Sequence, residues 1–257
     1  MATVLLIRHG RTTANAEGIL AGRTPGIELD ETGRQQAAQA GERLGAIRLA
    51  GVVTSPMLRC RQTSEVILNA QPHLPAELVE EGITECDYGQ WQGRKIEDLT
   101  KEPMWTTVQT HPAGVMFPDG EAMATMQARA VAAIRRHDAA FEAEHGPEAV
   151  WAAVSHGDLI KSVLADALGM HLDLFQRIHA HPASVSIIRY TPARPYVVAM
   201  NTDAGDLSWL GKQSTQENSR NDGTGTANTG TDRTGDPEPA GVDAEIGGGA
   251  GPTRSAP

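Results

Sequence analysis

Short, mostly apolar runs alternate with longer amphipathic stretches along this chain. The apolar runs lie at residues 4–7, 51–54 and 149–154, and runs this short are typical of strands buried on both faces of a sheet. Apolar positions recur at helical spacing in residues 32–47, 56–69, 119–145 and 158–168. Two further strands are predicted at residues 184–190 and 196–200, joined as a hairpin, and a strand with a turn at 78–85. This alternation predicts a three-layer α/β/α sandwich, with a mostly parallel central sheet and an antiparallel edge.

Two of the predicted helices carry start signals. Thr32 is followed three residues later by Gln35, a capping box that predicts the start of the helix over residues 32–47. Ser55 precedes Pro56, which is the order of a capping residue and a proline at the first helical position. We therefore expect Ser55 to cap the helix over residues 56–69.

The chain divides into a folded part and a tail. Residues 212–257 contain no Leu, Met, Phe, Tyr or Trp, so this low-complexity segment cannot bury enough apolar area to offset its chain entropy, and it is predicted to be disordered. Residues 1–211 are then predicted to form one domain, which is large enough to be catalytic. Within it, residues 100–118 hold three prolines and show no clean period, which predicts an irregular cap insertion at about residues 85–120.

The composition excludes several classes of partner. The formal net charge is −10, which disfavours nucleic acid and anionic membranes. No apolar run reaches 18 residues, and the first residues lack the pattern of a signal peptide. Cys60 and Cys86 are too few for a disulfide framework, so a cytoplasmic protein with reduced thiols is expected. The oligomeric state stays open, with a homodimer as one alternative.

Chemically active residues follow three of the predicted strands. Arg8-His9 follows the first and Ser155-His156 the third, while Arg59 lies in the first turn of the helix that follows the second. Because ligands of parallel α/β sheets bind beyond the carboxyl ends of the strands, these residues are expected to meet at one edge. Two guanidiniums, two imidazoles and a helix N-terminus form a site suited to a phosphate dianion.

The order of the motifs along residues 3–200 resembles that of the histidine phosphatase (phosphoglycerate mutase-like) superfamily. The matching segments, in chain order, are Arg8-His9-Gly10 with Asn15, Gly22-Arg23, Ser55-Pro56-Met57-Leu58-Arg59 with Gln62-Thr63, Glu85 with Tyr88-Gly89 and Trp91-Gln92-Gly93, and Ser155-His156-Gly157. Each motif alone is weak, whereas the ordered set is specific.

The resemblance implies a role for each site residue. It makes His9 the nucleophile that forms a phosphohistidine, and Glu85 the acid that protonates the leaving oxygen and then activates water. The phosphoryl oxygens would be held by Arg8, Arg59 and the catalytic His156, with Asn15 and Arg23 assisting. A histidine nucleophile must be neutral, and the adjacent arginine disfavours the imidazolium. No metal and no cofactor are implied, and the only expected partner is a small phosphomonoester.

Three functions compete: a phosphomonoesterase, a phosphoglycerate mutase-type phosphotransferase and a phospho-ligand binder without catalysis. The binder is disfavoured because every chemical residue is present. Mutases of the superfamily place an arginine after the acid, whereas this chain has Cys86, and residues 100–118 hold a single cation, Lys101. These features favour a phosphatase that acts on a small phosphorylated metabolite.

Two further features leave alternatives open. Arg11 stands where the superfamily often has Glu or Gln, so it either favours a more anionic substrate or points to solvent. His179 and His181 could form a metal pair, but no carboxylate or thiol lies beside them in the sequence, so no metal site is predicted. His181 could instead line the phosphate site.

Overall fold

A six-stranded sheet forms the centre of the protein. The computed structural model describes residues 2–207 and 210, so the predicted tail at 212–257 lies outside the described residues. The strands are β1 (Thr3–Arg8), β2 (Gly51–Thr54), β3 (Ala76–Val79), β4 (Val150–Ser155), β5 (Val185–Tyr190) and β6 (Pro195–Thr202). Their order is β3-β2-β4-β1-β5-β6. β5 runs antiparallel to its neighbours β1 and β6, and the other neighbouring pairs are parallel. The predicted mixed α/β fold with a mostly parallel sheet is confirmed.

Helices surround this sheet. The α-helices are α1 (Thr13–Ala16), α2 (Glu31–Leu44), α3 (Leu58–Asn69), α4 (Ile96–Leu99), α5 (Trp105–Thr110), α6 (Met123–His145) and α7 (Gly157–Ala167). Short 3₁₀ segments lie at Glu81–Ile83, Gly89–Trp91, Pro112–Gly114 and Leu172–Arg177. No helix in the described part of the chain is both long and apolar enough to cross a membrane.

Alternating side chains of the buried strands build two cores, one on each face of the sheet. Val4 and Leu6 of β1 join the core that contains residues of α6 and α7, whereas Leu5 and Ile7 join the core on the side of α2 and α3. Each such side chain contributes roughly 1.5–3 kcal/mol on burial. An unbroken apolar run is therefore needed in a strand that is covered on both faces.

The segment between β3 and α6 is more ordered than the aperiodic sequence suggested. Short helical turns replace long elements, and its aromatic side chains pack on one another. The ring centroid of Phe117 lies 5.0 Å from that of Tyr88 and 5.4 Å from that of Trp91. These three rings belong to the same core as α6 and α7. Turns of three to six residues are too short to produce a visible period, which explains why the sequence predicted only irregular structure.

The capping prediction for α2 was wrong by two residues. Asp30 is the N-cap, and its carboxylate accepts a hydrogen bond from the Gly33 amide at 2.7 Å. Asp30 also pairs with the Arg11 guanidinium at 2.7 Å, and Arg11 donates from Nη2 to the Thr32 hydroxyl at 2.8 Å. The contact with Arg11 comes from a distant loop, so the local capping box could not reveal it.

Other predicted boundaries also shift. α3 begins at Leu58 with Met57 as N-cap, so Ser55 does not cap it. β3 covers Ala76–Val79 and ends before most of the predicted strand at 78–85. α6 begins at Met123 instead of residue 119, because Asp119 has a positive φ of 54° that a helix cannot contain.

Candidate active site

The carboxyl ends of β1, β2 and β4 meet at one edge of the sheet. The His9 amide donates to the Ser155 carbonyl at 2.9 Å, and the Ser55 amide donates to the Val154 carbonyl at 3.0 Å. The parallel register pairs Arg8 with Ser155. The residues that follow the three strands are therefore brought together, as the strand pattern indicated.

His9 is buried, and one nitrogen of its ring is an unprotonated acceptor. Its Nδ1 lies 2.7 Å from the Gly10 carbonyl oxygen, and Arg59 donates from Nε to its Nε2 at 3.2 Å. Because a guanidinium only donates, Nε2 carries the lone pair and Nδ1 the proton. Burial, followed by the positive charges of Arg59 and Arg8, holds the pKa of His9 well below its ordinary value. The imidazole is neutral and has a nucleophilic nitrogen beside a cation.

Two arginines are buried beside this histidine. Arg8 donates from Nη1 to the Ala180 carbonyl at 2.8 Å, and burial lowers its pKa to about 10. Arg59 donates from Nη2 to the Gly22 carbonyl at 2.7 Å, while its buried Nη1 has no hydrogen-bond partner among the described residues. A buried cationic donor without an acceptor is costly, so this corner is suited to an anion.

His156 completes the polar cluster. Arg59 donates to its Nδ1 at 3.1 Å, so its proton lies on Nε2, which is 2.8 Å from the Ser55 hydroxyl. Burial and the charge of Arg59 hold the pKa of His156 well below its ordinary value. The rings of His9 and His156 meet edge to face, with centroids 5.3 Å apart. Ser55, predicted as a helix cap, is thus the hydrogen-bond partner that orients His156.

Glu85 is a buried carboxyl group with a raised pKa. Its Oε1 accepts from the Cys86 amide at 2.9 Å. Burial, and after it the negative charge of Asp158, raise the pKa of Glu85 to about 7, against the opposite effects of that amide and of Arg59 and Arg8. A carboxyl group that titrates near neutral pH can give and take a proton within one reaction cycle.

Arg23 and Asn15 make contacts that the sequence did not indicate. Arg23 donates from Nε to the Glu85 carbonyl oxygen at 2.8 Å and from Nη2 to Glu121 at 2.9 Å. The Asn15 side chain accepts from the Thr12 amide at 3.1 Å, which completes the capping box of α1. Phosphate binding by these two residues stays a prediction.

Sequence reasoning missed an arginine that binds the backbone of Glu85. Arg129 in α6 donates to the Glu85 carbonyl at 3.1 Å and to the Gly82 carbonyl at 2.9 Å. Glu121 pairs with both Arg129 and Arg23, so one carboxylate holds two cations on the same backbone oxygen. Arg129 has the appearance of an ordinary polar position of a long helix, so no local signal could have identified it.

The remaining candidates are tied to neighbours. Arg11 is paired with Asp30, so it is neither an uncompensated cation at the mouth of the site nor a side chain that simply points to solvent. The side-chain Nδ2 of Asn201 lies 3.2 Å from Nδ1 of His181, and this contact orients the His181 ring. Across residues 2–207 and 210, no three His, Cys, Asp or Glu side chains are grouped so that they could hold a metal ion.

Known proteins share both this sequence pattern and this fold. The model of the histidine phosphatase superfamily (branch 1) matches residues 4–203. The probable phosphoglycerate mutase GpmB of Salmonella arizonae is 28% identical over 214 residues, which are 82% of this chain and 95% of that protein. The uncharacterised phosphatase PhoE of Bacillus subtilis is 30% identical over 169 residues, 66% of this chain and 79% of that protein.

Among solved structures, YhfR of Bacillus stearothermophilus superposes with a TM-score of 0.70 at 26% identity. The superposition covers 82% of this chain and 100% of YhfR. The match of the family model extends from β1 to the end of β6 and includes every predicted site residue. The chain therefore belongs to the histidine phosphatase superfamily, branch 1.

Proposed function

We propose that this protein is a phosphomonoester hydrolase that acts on a small phosphorylated metabolite through a phosphohistidine at His9. One observation carries the proposal. His9 is a buried, neutral imidazole whose Nδ1 is held by the Gly10 carbonyl oxygen and whose Nε2 faces the Arg59 guanidinium. A phosphoryl group placed at that guanidinium would lie beside the lone pair of a nucleophile.

The reaction divides into two steps. In the first, His9 Nε2 forms a bond to phosphorus, the phosphorus–oxygen ester bond breaks, and the Glu85 carboxyl group gives its proton to the leaving oxygen. In the second, the Glu85 carboxylate takes a proton from a water molecule that attacks phosphorus, the phosphorus–nitrogen bond breaks, and inorganic phosphate leaves. A pKa of about 7 lets Glu85 perform both transfers.

The positive side chains stabilise the charge that moves during both steps. Arg8 and Arg59 are buried, so their charges act with little screening by water. His156 can also bind the phosphoryl group. The Ser55 hydroxyl can either donate to its Nε2 or accept from it, so either tautomer of His156 is possible. When a phosphoryl oxygen takes the Arg59 donor that otherwise binds Nδ1, Ser55 can donate to Nε2, and a proton on Nδ1 can then be donated to the phosphoryl group.

The surroundings of Glu85 favour hydrolysis over phosphotransfer. Cys86, at the position where mutases have an arginine, is buried with its Sγ 3.8 Å from the Met123 sulfur. Lys101 is exposed and pairs with Asp98, and Arg94 pairs with Glu102 at 2.6 Å. These cations are already compensated, which supports a substrate without a second anionic group to be gripped by the segment between β3 and α6. Mutase-type phosphotransfer is the alternative, since relatives carry both kinds of name.

The proposed chemistry uses side chains alone and suits a reducing compartment. Cys60 and Cys86 are free thiols, and burial raises the pKa of Cys60 to about 12. Thiols of this kind are unreactive packing residues that need no partner cysteine. They support the cytoplasm as the place where the enzyme works.

A screen of phosphomonoesters with release of inorganic phosphate as the readout tests this proposal. 3-Phosphoglycerate and 2,3-bisphosphoglycerate are run in parallel with a readout for isomer formation, and His9→Ala is the inactive control. We expect phosphate release from several small monoesters and no isomerisation. Isomer formation that exceeds phosphate release would establish the alternative.

A further inference from the structure

A second buried carboxylate is hydrogen-bonded to the segment that carries the proposed acid. Asp158 stands in the first turn of α7, two residues after His156, and is fully buried. Its Oδ2 accepts from the Tyr88 hydroxyl at 2.7 Å, and its Oδ1 accepts from Lys161 Nζ at 2.9 Å. The first turn of a helix is also where its dipole stabilises negative charge.

Tyr88 and Lys161, which donate to Asp158, are themselves fixed. Burial and the charge of Asp158 hold the pKa of Tyr88 well above its ordinary value, so its hydroxyl remains a donor. Lys161 Nζ also donates to Gln176 Oε1 at 2.6 Å and lies 4.6 Å from the centre of the Phe175 ring. Asp158 therefore cannot turn away from the site without breaking several buried contacts.

Tyr88 links this carboxylate to the segment that carries the acid. It follows Glu85 by three residues, so its hydrogen bond to Asp158 ties the Glu85 segment to the start of α7. The charges with the largest effect on the Glu85 carboxyl group come from three elements and are Asp158 of α7, Arg59 of α3 and Arg8 of β1. Arg23 and Arg129 bind its backbone oxygen instead.

Among these groups, Asp158 alone is negative. The two arginines favour the carboxylate form of Glu85, whereas burial and Asp158 oppose it. We propose that Asp158 is a positioning residue that keeps the Glu85 carboxyl group protonated, so that it is ready to donate to the leaving oxygen. This inference rests on the proposed function, because it requires Glu85 to act as the acid.

The test is the pH profile of kcat/KM for an alkyl phosphate in the Asp158→Asn variant. Loss of the negative charge lowers the pKa of Glu85, so the alkaline limb of the profile should move down by about one pH unit. On the alkaline side of that limb the variant should be about tenfold slower. Release of nitrophenolate from p-nitrophenyl phosphate should change little, since this leaving group needs no proton.

A matched control and a second variant keep the result interpretable. Asp166→Asn makes the same change in the same helix at a residue that pairs with Arg135 near the surface, and it should leave the limb in place. Asp158→Asn/Lys161→Met removes both charges of the buried pair and so avoids an uncompensated lysine. It should show a smaller downward movement, because loss of the Lys161 charge acts on Glu85 in the opposite direction.

Glu85→Gln separates failure of this inference from failure of the proposed function. If the alkaline limb disappears in Glu85→Gln but stays in place in both Asp158 variants, the role of Asp158 is refuted while the acid remains Glu85. If the limb persists in Glu85→Gln, Glu85 is not the acid, and the inference falls together with that part of the proposed function.

Discussion

Arg59 donates a hydrogen bond from Nε to Nε2 of His9 at 3.2 Å, although the two residues are 50 positions apart in the chain. The bond fixes which nitrogen of the imidazole is bare, because a guanidinium has no lone pair to offer in return. The same bond places a buried cation beside that nitrogen. Nucleophile and charge stabilisation are thus organised by one contact, and the predictions below separate their effects.

The phosphoryl group should be trapped on His9. Rapid mixing with a labelled phosphomonoester, followed by quenching in alkali and peptide mapping, should place the label on this residue, since phosphohistidine survives alkali. His9→Gln should retain no label. Label on His156 or on a serine would refute the assignment of the nucleophile.

Glu85→Gln should distinguish good from poor leaving groups. Alkyl phosphates, which need a proton on the departing oxygen, should be slowed by about 10²–10⁴-fold. p-Nitrophenyl phosphate should give a burst of one nitrophenolate per site and then a slow phase, because activation of water is also lost. Equal slowing of both substrates would count against Glu85 as the acid.

The wild-type enzyme should lose activity on alkyl phosphates as the pH rises past about 7. The first step needs protonated Glu85, whose raised pKa places its loss of the proton near that value. The measurement is kcat/KM against pH for an alkyl phosphate and for p-nitrophenyl phosphate. The alkaline fall should be much weaker for the second substrate, and identical profiles would contradict the proton transfer.

Arg59→Ala should slow both classes of substrate by a similar factor of about 10²–10³. The side chain stabilises charge on the phosphoryl group and takes no part in the transfer to the leaving oxygen. Arg61→Ala, two residues away and paired with Glu77 near the surface, is the matched control and should keep normal rates. A large difference between the two substrates in Arg59→Ala would argue for a different role.

Gly33→Ala should disrupt the active site by displacing the loop that follows His9. A methyl group at this position of α2 would overlap the backbone carbonyl of Arg11, in the loop that follows His9 and Gly10. We expect loss of most activity together with a lower Tm, because backbone must move to make room. Gln39→Ala, an exposed position of the same helix, is the control. Unchanged kinetics in Gly33→Ala would show that the loop accommodates the methyl group freely.

Deletion of residues 212–257 should leave Tm and turnover nearly unchanged. This segment has almost no large apolar side chains with which to dock on the domain. Thermal unfolding and steady-state kinetics of the full and shortened chains provide the comparison. A marked loss of stability in the shortened chain would show that the segment packs.

The sequence by itself determined the sheet and the main elements around it. Runs of consecutive apolar residues occur where a strand is covered on both faces, so β1, β2 and β4 could be located from the hydrophobic pattern alone. The residues directly after those strands then had to meet at one edge, since parallel strands share a direction. For this reason the grouping of Arg8, His9, Arg59 and His156 could be expected before any coordinates.

Only the tertiary structure decided what each polar side chain binds. Ser55 has the sequence context of a helix cap, yet it orients His156 from 101 positions away. Arg23 matches a phosphate-binding motif, yet with Arg129 it holds the backbone of Glu85. The raised pKa of Glu85 depends on burial and on Asp158, 73 positions later. Hydrophobic periodicity is a local property of the chain, whereas hydrogen bonds and buried charges depend on neighbours in space, and only folding sets those neighbours.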